Sequence, residues 1–102
     1  MATHTVTLTY GPNGFQPDPD PLLVKSGDTI SFQLGVAPPS CTFKITMNDP
    51  RYFSAAEASN SSPSLTVVAA AVTTYGCQLL DAGGNLLSGS GQPGGGGHVR
   101  PG

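Results

Sequence analysis

Apolar and polar residues alternate with a period of two along most of the chain. Over 4–10, Val6, Leu8 and Tyr10 alternate with Thr5, Thr7 and Thr9. Over 29–34, Ile30, Phe32 and Leu34 alternate with Thr29, Ser31 and Gln33. Over 41–47, Cys41, Phe43, Ile45 and Met47 alternate with Thr42, Lys44 and Thr46. Successive side chains of an extended strand point to opposite faces, so each segment carries one apolar face and one face of hydroxyls and amides. This pattern predicts antiparallel strands with one face on a core and the other in water; helix spacing fits none of the three. The threonines of the polar faces are β-branched and suit an extended backbone.

Turn residues separate these strands. Gly11-Pro12-Asn13-Gly14 closes the first, Ser26-Gly27-Asp28 bends the chain between Leu22–Lys25 and Thr29–Leu34, Pro38-Pro39-Ser40 precedes the third, and Asn48-Asp49-Pro50 ends it. The apolar stretch 64–80 divides into a strand near 65–69 and another near 74–80. Asp81-Ala82-Gly83-Gly84-Asn85 then reads as a hairpin loop leading to a short strand at Leu86-Leu87. Ser54-Ala55-Ala56-Glu57 matches a capping box and predicts one helical turn. About seven short strands at regular spacing predict an all-β sandwich or small barrel. The inward set is Val6, Leu8, Tyr10, Ile30, Phe32, Leu34, Phe43, Ile45, Leu65, Val67, Tyr75 and Leu79, with Phe15 and Val24.

Composition changes this picture in one place. Seven of the 14 glycines and two of the 10 prolines fall in 88–102, where Val99 is the one apolar side chain. A stretch with so little surface to bury does not offset the entropy of ordering it, which predicts a flexible Gly-rich tail after a sandwich domain of 1–87. Charged residues make only 10% of the 102 residues and the net charge is −2. There is no basic stripe for nucleic acid, no apolar run of the roughly 18 residues that a membrane helix needs, and no heptad pattern.

Leu22-Leu23-Val24-Lys25-Ser26-Gly27-Asp28-Thr29-Ile30-Ser31-Phe32 resembles the second strand pair of the cupredoxins, the small blue-copper sandwiches, and Thr74-Tyr75-Gly76-Cys77 resembles the strand that carries their cysteine ligand. The Gly-Asp turn and the Tyr-x-Cys pattern are also similar to immunoglobulin-like sandwiches, with their tyrosine corner. The resemblance implies a Greek-key β-sandwich, cupredoxin-like or immunoglobulin-like. Its copper chemistry does not follow. A blue-copper site takes two imidazoles, a thiolate and a weak axial ligand, often Met. In the family the second His and the Met follow the Cys in one short loop, but Gln78, Leu79, Leu80, Asp81 and Ala82 follow Cys77. The other family His is expected near Asn48-Asp49-Pro50-Arg51, where there is none. The resemblance therefore implies a cupredoxin-like domain without its metal site and with no cofactor.

Cys41 and Cys77 both fall in the inward phase of their strands. They are either a disulfide or two buried free thiols. Met1 is followed by ATHTVTLTY, with no basic start and no apolar signal core, which predicts a cytoplasmic location and free thiols; a trimmed mature form would be secreted and reverse this. In Pro17-Asp18-Pro19-Asp20-Pro21 the prolines predict a stiff, extended lead-in to a strand and a guarded sheet edge. Asp18 and Asp20, with Asp28 or Asp81, could offer oxygens to a weak Ca²⁺ site, although no EF-hand spacing is present. Asn60-Ser61-Ser62 matches a glycosylation sequon, which matters only on secretion. Gly94–Gly97 lacks the Lys-Ser/Thr and helix of a phosphate loop.

The chain carries no nucleophile elbow, a single Glu, and histidines only at His4 and His98. No constellation for acid–base or nucleophilic catalysis can be assembled, so no enzyme is predicted. Arg51, Tyr52 and Phe53 interrupt the polar loop Asn48–Ser54 and are the candidate contact patch, because Arg and aromatic side chains anchor interfaces; the alternative is that they cover one end of the sandwich. The predicted function is a non-catalytic binding or assembly module that contacts a protein partner or itself, without nucleic acid or membrane. The alternative is a small metal-binding or redox protein using Cys77 with His4 or His98. A carbohydrate-binding sandwich lacks an aromatic platform, since there is no Trp and only three Tyr.

Overall fold

The computed structural model describes residues 2–11, 14–37, 39–88 and 96–102. Among them are ten strands and one short 3₁₀ turn. The strands are β1 (Thr3–Gly11), β2 (Gly14–Asp18), β3 (Leu22–Val24), β4 (Thr29–Leu34), β5 (Thr42–Met47), β6 (Glu57–Ser59), β7 (Ser64–Thr66), β8 (Thr73–Leu80), β9 (Leu86–Ser88) and β10 (Gly96–Pro101); the turn, η1, is Pro50–Tyr52. They form two sheets packed as an all-β sandwich. One runs β2-β1-β4-β7. The other runs β3-β10-β8-β5-β6, with β9 paired to the upper part of β8.

Each sheet contains one parallel pair. β1 lies beside β4 with Val6 opposite Phe32, and β3 lies beside β10 with Leu22 opposite Val99. The other pairings are antiparallel. The alternation fixes which face turns inward. Val6, Leu8, Ile30 and Phe32 of the first sheet meet Phe43, Ile45, Tyr75, Cys77 and Leu79 of the second, all buried. Phe32 and Tyr75 join the two layers through an edge-to-face ring contact with centroids 5.5 Å apart. Such a pair contributes about 0.5–1.5 kcal/mol beyond its buried area.

Seven of the strands match those expected from the alternation. β2, β6 and β10 are additional, and β10 corrects the reading of 88–102 as a flexible tail. Gly96–Pro101 pairs with β8 on one side and β3 on the other, and Val99 is buried. Glycine is required here by contact rather than by freedom. The Tyr75 ring lies over Gly97, where a Cβ would stand 2.3 Å from Tyr75 Cζ. The glycine-rich composition thus includes a strand whose ladder bonds and one buried valine hold it in the sheet. Residues 89–95 lie outside the described residues.

Pro17 sits in β2, an edge strand, where a missing N–H costs little. The prolines that follow turn the chain instead of extending it. Asp18–Pro19 and Asp20–Pro21 are both cis, and the bend carries the chain from the first sheet into the second. Ser54–Glu57 is not helical. Thr66 N–H donates to Ser54 Oγ, and Glu57 begins β6 opposite Thr46. Pairing with β5 outcompetes the local cap, and the one helical turn forms earlier, at Pro50, whose fixed φ suits a first helical position. Tyr10, expected inside, is 37% exposed because β1 runs past the end of its ladder with β4 at Leu8–Leu34, and Leu34 is half-buried for the same reason. The Phe15 side chain lies outside the described residues.

Candidate functional site

One end of the sandwich gathers most of the chemistry. Three connections meet there: the turn 25–28 between β3 and β4, the loop 48–56 between β5 and β6, and the loop 67–72 between β7 and β8. Backbone bonds tie them together. Gly27 N–H donates to Val67 O, Val68 N–H to Tyr52 O at 2.8 Å, and Asn48 N–H to Thr74 O. Ser26 Oγ donates to Val68 O at 2.9 Å.

Asp28 anchors this end. Gly27 takes φ 91°, a left-handed conformation that favours glycine, and the turn brings Lys25 N–H to Asp28 Oδ2 at 3.0 Å. Ala2 N–H donates to Oδ1 at 2.9 Å, and His4 Nε2 lies 2.7 Å from Oδ2. The carboxylate is buried, and these contacts hold it well below the usual carboxylate range, the Ala2 amide contributing most, then His4, then Lys25. An ionised carboxylate can only accept, so Nε2 of His4 is the donor. A cleft of about 460 Å³ opens beside the pair, lined by Ala2, Leu23, Lys25 and Gly102.

The candidate patch at 51–53 divides. The Arg51 guanidinium lies 4.8 Å above the Tyr52 ring centroid, and its Nη2 donates to the Tyr52 hydroxyl at 2.9 Å. Arg51 is exposed and Tyr52 half-buried. Phe53 does not belong to the surface. It is 6% exposed, bridges to Val67 and fills the core, because the strand-like backbone after η1 turns alternate side chains in opposite directions. What the sequence reading missed is the loop beside it. Val68-Ala69-Ala70-Ala71-Val72 has no polar side chain, and Val68 and Val72 are 56% and 75% exposed. The signal lies in the apolar run 64–80, where a strand is expected near 65–69; β7 ends at Thr66, which leaves Val68 and Ala69 in the loop.

The cysteines are both buried and free. The β5–β8 register explains why they cannot pair. Cys77 is opposite Ile45, and Cys41 lies four residues before Ile45, about 13 Å along the strand. A disulfide needs Cα atoms within roughly 4.4–6.8 Å. Burial pushes the Cys77 thiol up to about 12, with the Asp20 charge adding to it. The structure does not bring Cys77 together with either histidine. His4 is bound to Asp28 at the end just described, and His98 points outward from β10, where its backbone N–H and Nδ1 meet Asp20 Oδ1 at 2.8 and 3.1 Å. Among the described residues no three His, Cys, Asp or Glu side chains converge as a metal-ligand set. A further depression of about 660 Å³ on the β5–β6 side is lined by hydroxyls, Asn60 and Leu80 and crossed by the Lys44–Glu57 ion pair; Asn60 of the sequon accepts from Phe43 N–H.

Comparison with protein-family profiles, with curated proteins and with solved structures finds no match to this chain.

Proposed function

We propose that this protein is a non-catalytic binding or assembly module, and that the end bearing Arg51, Tyr52, Val68 and Val72 is where it contacts a protein partner. The observation that carries the reading is the Arg51–Tyr52 stack beside an exposed all-apolar loop fixed to the Tyr52 carbonyl. Arg and Tyr are the side chains that most often anchor interfaces, and the backbone bonds pre-order the loop, so little entropy remains to be lost on binding. The outer face of the β2-β1-β4-β7 sheet is a weaker candidate. It presents Thr5, Gln33 and Ser64, which are exposed, and Thr7 and Ser31, which are half-buried, and none of them offers an anchor.

The proposed scaffold is a cupredoxin-like or immunoglobulin-like sandwich, and its parallel β1–β4 and β3–β10 pairs depart from the all-antiparallel sheets of the immunoglobulin fold. On this reading the scaffold is kept and its metal chemistry is not, with contact at the loops as the remaining role.

The test is a photo-reactive phenylalanine analogue placed at Val72 or, as control, at Thr5, in the cells that make the protein. The reading expects a discrete protein adduct from position 72 that disappears with Arg51→Glu. Equal labelling from both positions, or none from either, contradicts it.

A further inference from the structure

Resting on the contact surface proposed above, we infer that its partner presents an acidic segment bearing apolar side chains. The chain is acidic overall, with net charge −2, and at this end the formal charges balance, Lys25 and Arg51 against Asp28 and Asp49, but the cations are exposed while Asp28 is buried and Asp49 half-buried. Lys25 and Arg51 are exposed, and neither pairs with a carboxylate among the described residues. The two acids nearby are occupied. Asp28 is buried under the Ala2, Lys25 and His4 donors, and Asp49 accepts the Thr73 hydroxyl. Lys44, by contrast, is neutralised by Glu57 on the face of the second sheet, 3.2 Å away.

Each cation adjoins in sequence a residue that holds the apolar loop. Ser26, next to Lys25, donates to the Val68 carbonyl, and Tyr52, next to Arg51, accepts from the Val68 amide. Arg51 spends one N–H on the Tyr52 hydroxyl, which fixes the guanidinium plane over the ring and leaves the other donors of its fork for a carboxylate. The exposed Val68 and Val72 suit apolar side chains interleaved with the acids. A like-charged or uncharged partner would leave both cations without a counter-charge in a desolvated interface, which is costly.

The experiment is an NMR titration of the ¹⁵N-labelled full chain with three short synthetic peptides of Leu and Phe alternating with Asp/Glu, with Lys, or with Ser. Vesicles of phosphatidylserine and phosphatidylcholine form a separate arm. The acidic peptide is expected to shift the amide signals of Arg51, Tyr52, Val68 and Val72. Its binding should weaken with added salt and fall about tenfold or more in Lys25→Glu/Arg51→Glu, while Arg51→Lys keeps most of it. Equal binding of the Lys or Ser peptide overturns the acidic partner and leaves the contact surface standing. No shift at these residues with any probe overturns both. Shifts produced by phosphatidylserine vesicles alone make the partner a lipid surface, and shifts that grow with protein concentration alone make it a second copy of this chain; either result overturns the inference.

Discussion

His4 Nε2 and Asp28 Oδ2 lie 2.7 Å apart, joining β1 to the turn that leads into β4, its parallel neighbour. The same carboxylate holds the Ala2 and Lys25 amides, so one buried group ties the start of β1 to the turn before β4. Its folded pKa is depressed, which fixes the sign of its linkage. The stability it contributes is fully present above the unfolded value, near 3.9 for Asp, and is lost as pH falls through the lower folded value. Asp28→Asn should therefore be less stable than the parent at neutral pH, and the difference should shrink on acidification below about pH 4. Urea unfolding at a series of pH values checks this; a difference that stays constant with pH contradicts it.

Gly97 lies under the Tyr75 ring, so Gly97→Ala should overpack the core and cost about 1–3 kcal/mol or more. Trimming the ring relieves the collision. In a double-mutant cycle with Tyr75→Val, the alanine should cost much less than it does alone. Additive losses in chemical denaturation would show that the two residues do not meet.

Cys77 is fully buried and its thiol is held neutral well above physiological pH. In the folded protein at pH 8 it should resist alkylation, and it should react once the chain is unfolded. Mild oxidation should leave the monomer without a Cys41–Cys77 bridge, since the β5–β8 register separates them. Peptide mapping after alkylation reads both outcomes; an intact bridged peptide would contradict the register.

Tyr52 and Phe53 are neighbours with opposite duties. Phe53→Ala empties a core position and should cost about 3–5 kcal/mol. Tyr52→Ala removes a half-buried ring and the platform under Arg51, so it should cost far less stability while weakening contact at this end. Thermal or urea unfolding separates the two; similar losses would place both side chains in the core.

The contrast between these residues shows what could be read in advance. Val6, Ile30, Phe43 and Ile45 were legible because alternation is a local property and one slip would turn the whole apolar set to solvent. Gly97 was not, because its need for a bare Cα is created by Tyr75, 22 positions earlier in the chain. The His4–Asp28 pair depends on the parallel placement of β1 beside β4, and parallel register leaves no short-range trace. Asp28 itself was visible as part of a Gly-Asp turn, though its three donors were not. For Phe53 the polar loop around it leaves both a contact patch and a cover over one end of the sandwich open, whereas its burial comes from the bridge to Val67.

The contact surface depends on β3, which leads directly into Lys25 and has β10 as its one sheet neighbour among the described residues. If Gly96–Pro101 did not hold that place, β3 would lose its ladder and the turn 25–28 its support. Amide hydrogen exchange at Val99 is the most direct test, because this residue is buried between Leu22 of β3 and Thr73 of β8. The structure predicts protection there comparable to that of the central β8 amides. Exchange at the rate of an unstructured chain would contradict the fold and the contact surface built on it.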